Sequence, residues 1–478
     1  MKEKFFVAII SYPQKNISRM IFLLILSLII SLPLNSNYSS YSSPARIYKS
    51  TLSPAFQTTP RFSNLKINPS RLLNNLEKLA TFGQIPEGGV NRVAFSDEDL
   101  AARNFIIELM RNAGLRVRID AAANIIGYRP GLNPELPSLA MGSHLDTVPQ
   151  GGKYDGALGV LSAIEVAQTL AENKIATRYP LEVIVFTDEE GGLVGSRAMT
   201  GTLTPAAMEE KSHSGWTIAE GIKRLGGDPT RIDSAARSSG ELAAFVELHI
   251  EQGAWLERHN IAVGVVEGIV GINWWDIFIE GQANHAGTTP MNMRRDALLA
   301  AAHLIIAVNQ IVRREPGRQV GTVGRIKCSP GAPNVIPGEV EMSLELRDLS
   351  SEKIKHLFQK ISQEAQKIAK LTGTKITWRP VDANAKPALT DPRLQKAIIK
   401  ACQTLNLSYQ KMPSGAGHDA QDMALIAPTG MIFVPSAGGI SHSPAEYTRD
   451  EDVVNGANVL LHTIVHLDLS LDLPRKEK

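Results

Sequence analysis

Cysteine is nearly absent from this 478-residue chain: only Cys328 and Cys402 occur, far apart in sequence. A secreted domain stapled by disulfides would use more, and two residues do not fix the compartment. Aromatic residues are scarce at 6%, and an excess of one charge is missing, with 50 Lys+Arg against 48 Asp+Glu. Six basic residues and one acid fall in residues 1–60, so the remainder is slightly acidic. Without a concentrated basic face the chain does not read as a nucleic-acid binder. Short repeats are lacking, and so are long apolar runs beyond the N-terminus. With 43% hydrophobic and 21% charged residues, disordered, collagen-like and multi-span membrane classes are excluded. The length suits two or three domain-sized units.

The N-terminus is a different kind of text. Lys2, Lys4, Lys15 and Arg19 precede an uncharged run from Met20 to Leu34. That run fits a signal-peptide core better than a comfortable membrane span, yet no clean small-x-small cleavage site follows. Export or anchoring is the expectation. A retained anchor, and a cytoplasmic protein whose true start lies further on, both stay open. Residues 1–60 are set aside as leader or anchor plus polar linker.

From Pro69 onwards, strands and helices alternate. Helical apolar spacing covers Arg71–Thr81 and Asp97–Ala113, strands follow at Arg116–Ile119 and Leu136–Met141, and a small-residue helix at Gly159–Leu170 leads to the apolar run Leu181–Phe186. This alternation argues for a mostly parallel sheet wrapped by helices. Between 266 and 380 the order becomes strand (Trp274–Glu280), helix (Arg295–Arg313), strand (Gln319–Ile326), strand (Glu339–Leu346), helix (Ser351–Leu371), strand (Lys375–Trp378). That order is ferredoxin-like. The expected fold is an α/β domain built from residues 61–265 and 381–473, interrupted by an α+β domain at 266–380.

Chemistry-bearing residues gather where the strands should end, which is where open α/β sheets build sites. His144 follows one apolar strand, Glu189 and Glu190 follow Leu181–Phe186, His249 ends Phe245–Leu248, and His442 follows Gly430–Pro435. Asp155 precedes a helix. Imidazoles and carboxylates suit zinc or manganese. Asp155 is of a type that can bridge two cations, and of the neighbours Glu189 and Glu190 one can bind metal while the other takes a proton from water. Asp146, two residues after His144, would face the same side of a continuing strand and hold the ring's other nitrogen. Singly, each residue has a plainer reading as a structural histidine or a solvated turn; jointly, chance is a poor account.

These motifs resemble the hydantoinase/carbamoylase family of metallopeptidase-like amidohydrolases, which includes N-carbamoyl-L-amino-acid hydrolases, β-ureidopropionase, and allantoate and ureidoglycolate amidohydrolases. The most specific stretches are Glu247–Gly253 and Asn284–Met291, with Ser414–Ala420 and Ser441–Pro444 in support. The likeness spans roughly residues 66–470 and implies a zinc-peptidase-like catalytic domain with a lid and dimerisation domain inserted. It also implies one metal on His144, Asp155 and His249, a second on Asp155, Glu190 and His442, and Glu189 as general base. His285 would reach a neighbouring subunit's site to stabilise the oxyanion, Asn334 would bind substrate, and Arg347 would grip a substrate carboxylate, a task suited to a planar guanidinium. Plainer roles stand beside these: a turn residue for His285 or Asn334, and an ion-pair partner for Arg347. Gln252 either contacts substrate or packs behind His249, and His418 either lines the pocket or holds a loop. Trp274 and Trp275 read as lid core and interface.

The implied activity is hydrolysis of the ureido C–N bond of N-carbamoyl-L-amino acids to amino acid, carbon dioxide and ammonia, by a homodimer with two divalent ions: zinc or manganese, with cobalt and nickel as alternatives. Allantoate or ureidoglycolate hydrolysis is the second reading, peptide or N-acyl hydrolysis a weaker one, and a non-catalytic binding descendant the weakest, since no ligand is missing. One departure bears on specificity: Gly191–Val194 leads straight to Gly195-Ser196-Arg197-Ala198, without the Arg-Phe stretch common in the family.

Overall fold

A computed structural model describes residue 62 and residues 64–381 and 385–471. The expected leader or anchor within residues 1–60 lies outside the described residues.

Four short apolar segments make the centre of a nine-stranded sheet. In sheet order they are Leu181–Phe186, Ser138–His144, Leu242–Ile250 and Thr429–Val434, and each pair of neighbours is parallel. Their side chains are buried on both faces, save for half-buried Ala243, as expected of strands covered by helices on either side. One face packs on the helices Pro69–Ala80, Ala157–Glu172, Pro392–Thr404 and Asp450–Ser470, through residues such as Leu76, Leu158, Ile398 and Leu460. The other face carries Phe186, Phe245, Met423 and Phe433. Because these four strands run the same way, their carboxyl ends share one edge, and that edge receives His144, His249 and the loops bearing Glu189, Glu190 and His442.

Apart from the expected edge strand Arg116–Ile119, the two sides of the sheet are finished by strands that the apolar pattern did not single out. Ile125–Arg129 pairs antiparallel with Leu181–Phe186 and with Arg116–Ile119. At the far side Val263–Ile269 pairs with Thr429–Val434 and with Tyr409–Ser414. The chain therefore leaves the large sheet at Val270–Gly271, later than the expected residue 266, because Val263, Val265, Val266 and Ile269 are buried in that sheet. Cys328 and Cys402 are both free thiols.

The inserted unit is a five-stranded sheet with two helices on one face, as the βαββαβ order implies. Glu339–Asp348 pairs with Gly271–Glu280, which pairs with Lys375–Pro380, all antiparallel. Burial along Glu339–Asp348 alternates strictly: Val340, Met342, Leu344 and Leu346 meet the helices Ala297–Arg314 and Ser351–Thr372, leaving Glu341, Ser343, Glu345 and Arg347 on the other face. Ser350 caps the second helix through its side chain, and Gly373, at φ +65°, ends it. The expected strand Gln319–Ile326 is broken into Val320–Thr322 and Ile326–Ser329. At the break the Ser343 hydroxyl takes the Arg325 N–H, satisfying a donor that a continuous ladder would have paired.

Candidate functional site

The side chains at the carboxyl edge are placed by strand ends and by local turns. His144 is the last residue of Ser138–His144, and His249 the penultimate residue of Leu242–Ile250. Asp188 adopts a left-handed conformation, φ +53°, and turns the chain after Leu181–Phe186 so that Glu189 and Glu190 open a short helix. Asp155 sits just before the helix Ala157–Glu172, with Gly156 at φ +61° between them. A Cβ on Gly156 would lie 2.5 Å from the His144 ring, so only glycine lets the loop approach so closely.

These turns bring Asp155 to the middle of the cluster. Its Oδ1 lies 3.3 Å from His144 Nε2 and 3.0 Å from His249 Nε2, while its Oδ2 lies 3.5 Å from His442 Nε2. His442 Nε2 is in turn 3.4 Å from Glu190 Oε1. Two three-residue groups, His144–Asp155–His249 and Asp155–Glu190–His442, thus share one carboxylate, and the donor atoms of each lie within 4.8 Å of one another. The first group is buried; the second opens to solvent through His442. Glu189 Oε2 stands beside the first group, 3.7 Å from His144 Nε2.

The electrostatics ask for positive charge. Burial, joined by the neighbouring Glu190 and Asp419, pushes the Glu189 carboxyl well above its usual range against the pull of His144. Burial and Asp155 push Glu190 up to about 7. Asp155 is held well below the carboxylate range in spite of burial, by His249, His144 and His442. Glu190 Oε1 and Gln252 Oε1 are buried without a hydrogen-bond partner. An orphaned carboxylate oxygen among imidazole nitrogens fits a divalent cation, and the nitrogen and oxygen donors suit zinc or manganese.

Several expected residues take other positions. Asp146 does not hold the His144 ring through its side chain: Nδ1 meets the Asp146 backbone carbonyl at 3.0 Å, with the carboxylate 3.9 Å away. The strand ends at His144, so the i, i+2 geometry no longer applies, and the carboxylate instead accepts the N–H groups of Glu189 and Glu190 at 3.3 and 3.1 Å. Gln252 joins the cluster itself, donating to Asp155 Oδ2 at 2.7 Å, with its Nε2 3.2 Å from His442 Nε2. His418 both borders the cluster and holds a loop, its ring 4.6 Å from that of His249 and its Nε2 2.9 Å from Ser414 Oγ.

The inserted unit contributes three more, two of them at a separate two-stranded sheet formed by Asn284–His285 and Val335–Ile336. His285 pairs in register with Val335, next to Asn334, and both His285 and Asn334 are exposed. The His285 Nδ1 accepts the N–H groups of Gly287 and Thr288, so the neutral ring carries its proton on Nε2. Neither His285 nor Asn334 meets the cluster within the described residues of this chain. Arg347 pairs bidentately with Glu345, yet it also donates to the Gly415 carbonyl at 2.6 Å, on the loop that ends at His418. The divergent stretch after Glu190 is tied down by Arg197, which donates to the Gly192 carbonyl.

Sequence reasoning missed Glu446. Its Oε1 accepts the Tyr154 and Asp155 N–H groups at 2.9 and 3.1 Å, and Ser441 Oγ lies 2.8 Å from its Oε2 and 3.0 Å from Asp155 Oδ2. The only local signal was a carboxylate four residues after His442, which no periodicity marks. Glu247 was legible as an acid two residues before His249 on a buried strand; it accepts from Ser143 Oγ and the Ala420 N–H.

A mostly parallel sheet with an imidazole–carboxylate cluster at its carboxyl edge, beside an inserted ferredoxin-like sandwich, is the architecture of a metallopeptidase-like hydrolase. The model of peptidase family M20/M25/M40 matches residues 140–466. The N-carbamoyl-L-amino acid amidohydrolase of Geobacillus stearothermophilus is 45% identical over 406 residues, 84% of this chain and 99% of that protein. The ureidoglycolate hydrolase of Arabidopsis thaliana is 38% identical over 419 residues, 85% of this chain and 88% of that protein. An amidase of the hydantoinase/carbamoylase family from Burkholderia multivorans superposes with a TM-score of 0.79 at 35% identity, covering 84% of this chain and 98% of its own. This chain belongs to peptidase family M20/M25/M40 and, within it, to the hydantoinase/carbamoylase amidases.

Proposed function

We propose that this protein hydrolyses the ureido C–N bond of N-carbamoyl-L-amino acids, releasing the amino acid, carbon dioxide and ammonia. The observation that carries the reading is Asp155 shared between two imidazole–carboxylate groups, with Glu189 beside the first of them. His144, Asp155 and His249 would hold one divalent cation, and Asp155, Glu190 and His442 a second. When bound, such cations polarise the carbonyl and acidify the attacking water. Glu189, engaged in neither group, takes the proton of that water and returns it to the leaving nitrogen. His285, with its proton on Nε2, and Asn334 donate to the oxyanion. Arg347 pairs with the substrate carboxylate at the margin of the cluster, where its contact with Gly415 holds it.

That His285 meets no metal-site residue among the described residues supports the reading that it serves a second copy. The helix Ala297–Arg314 supports such a dimer: its inner face packs on the lid sheet, while Leu299 and Ile306 are exposed on the outer one. The run Met20–Leu34 behind four basic residues supports export or anchoring, which N-terminal sequencing of the mature protein tests.

The test of function is ammonia release from a panel of carbamoyl-L-amino acids, with zinc, manganese, cobalt or nickel added back. Glu189→Gln should keep its metal and lose about 100-fold or more in turnover, the usual span for a general base. A metal-replete wild type that turns over no member of the panel would refute the reading. Ureidoglycolate and allantoate belong in the same panel, because the Arabidopsis relative is named for ureidoglycolate.

A further inference from the structure

Arg347 does not offer its whole guanidinium to a ligand. Nε donates to Glu345 Oε1 at 2.7 Å, Nη2 to Glu345 Oε2 at 3.0 Å, and Nη1 to the Gly415 carbonyl at 2.6 Å. A guanidinium carries five N–H groups. Those three bonds leave one on each terminal nitrogen.

Glu345 is itself held. It lies two residues from Arg347 on the same face of Glu339–Asp348, and its partner across the sheet is Trp274, whose indole Nε1–H donates to Glu345 Oε2 at 2.6 Å. Both charged side chains are largely shielded, with 26% and 23% of their surface exposed. Although burial opposes it, the Arg347 fork and Trp274 keep the Glu345 carboxyl below its usual range, so it is ionised at neutral pH. Trp274, Glu345, Arg347 and Gly415 thus form a chain of bonds from the lid sheet to the loop that meets His418 and, through it, His249.

We infer that Glu345 is a positioning residue for substrate recognition: by filling one fork of Arg347 it fixes the guanidinium plane against Gly415 and leaves only the two terminal N–H groups for the substrate carboxylate. The inference rests on the proposed role of Arg347. A lysine in place of the arginine could not serve, since it has no fork to divide between two carboxylates. Trp274 is assigned a task beyond interface packing, as the donor that keeps Glu345 in register.

The test uses the metal-loaded full-length enzyme and two matched substrates, an N-carbamoyl-L-amino acid and its carboxamide, which lacks the charged group. Glu345→Gln, which cannot receive both Arg347 donors, should raise KM for the acid about tenfold, as expected for loss of a charge-assisted bond, with a smaller fall in kcat and little change in KM for the carboxamide. Trp274→Phe should shift the acid's KM in the same direction by a smaller factor. The inference is overturned if Glu345→Gln leaves the preference for acid over amide intact, or lowers KM for the acid, as it would if Glu345 merely competed with substrate. Arg347→Lys separates the two levels: a lysine variant with undiminished preference for the acid removes Arg347 from recognition, and the inference falls with it.

Discussion

Gly156 shows how far one residue can govern the cluster. Its φ of +61° lies in the left-handed region, and an added methyl would meet the His144 ring at 2.5 Å. Gly156→Ala should cost about 1–3 kcal/mol of backbone strain and push His144 from Asp155. Urea unfolding would read the first effect, and a weaker affinity in zinc titration the second. An unchanged titration would show that the ring has room to yield. Donor types at this scale were legible in the chain, because histidine, aspartate and glutamate after apolar runs are conspicuous. Glu446 was not, since its value lies in the N–H groups of Tyr154 and Asp155, nearly three hundred residues earlier.

Among the elements, the helix Asp450–Ser470 packs against the sheet and against Pro392–Thr404, and it carries His466 on its partly buried side. Burial, with His462 and Lys400 nearby, lowers the His466 pKa from 6.5 to about 4. Its folded value lies below its unfolded one, so the native state binds fewer protons between those pH values. The stability this residue contributes is whole above pH 6.5 and is lost as pH falls towards 4. The urea midpoint of wild type should therefore drop more between pH 7 and pH 4.5 than that of His466→Leu. Equal drops would mean that His466 titrates normally. Strands buried on both faces, such as Leu181–Phe186, and strictly alternating ones, such as Glu339–Leu346, were visible as patterns. Ile125–Arg129 and Tyr409–Ser414 were not: the first includes a Gly, the second a Pro at an irregular register, and only their neighbours make them strands.

For the whole molecule, the proposed dimer ties recognition to assembly. A charge at the outer face of Ala297–Arg314 has no compensation in an apolar contact, so Ile306→Glu should run as a monomer in light scattering and lose turnover with it, since His285 would have no second copy to serve. Mixing Glu189→Gln protein with His285→Ala protein should restore part of the activity, because a mixed dimer has one site in which both groups are intact. No recovery after exchange of subunits would place His285 at its own chain's site or at none.

By itself the amino-acid sequence determined the central strands with their flanking helices, the change to a βαββαβ order within the chain, and the kinds of donor at the strand ends. Those features follow from spacings of two and of three to four residues, which act within a few turns of the chain. Tertiary structure decided that Asp155 is shared, that Asp146 holds the Glu189–Glu190 turn rather than an imidazole, that Gln252 enters the cluster, and that Glu345 occupies half of Arg347. Each of these depends on which distant strands lie side by side, and therefore on packing that no local pattern encodes.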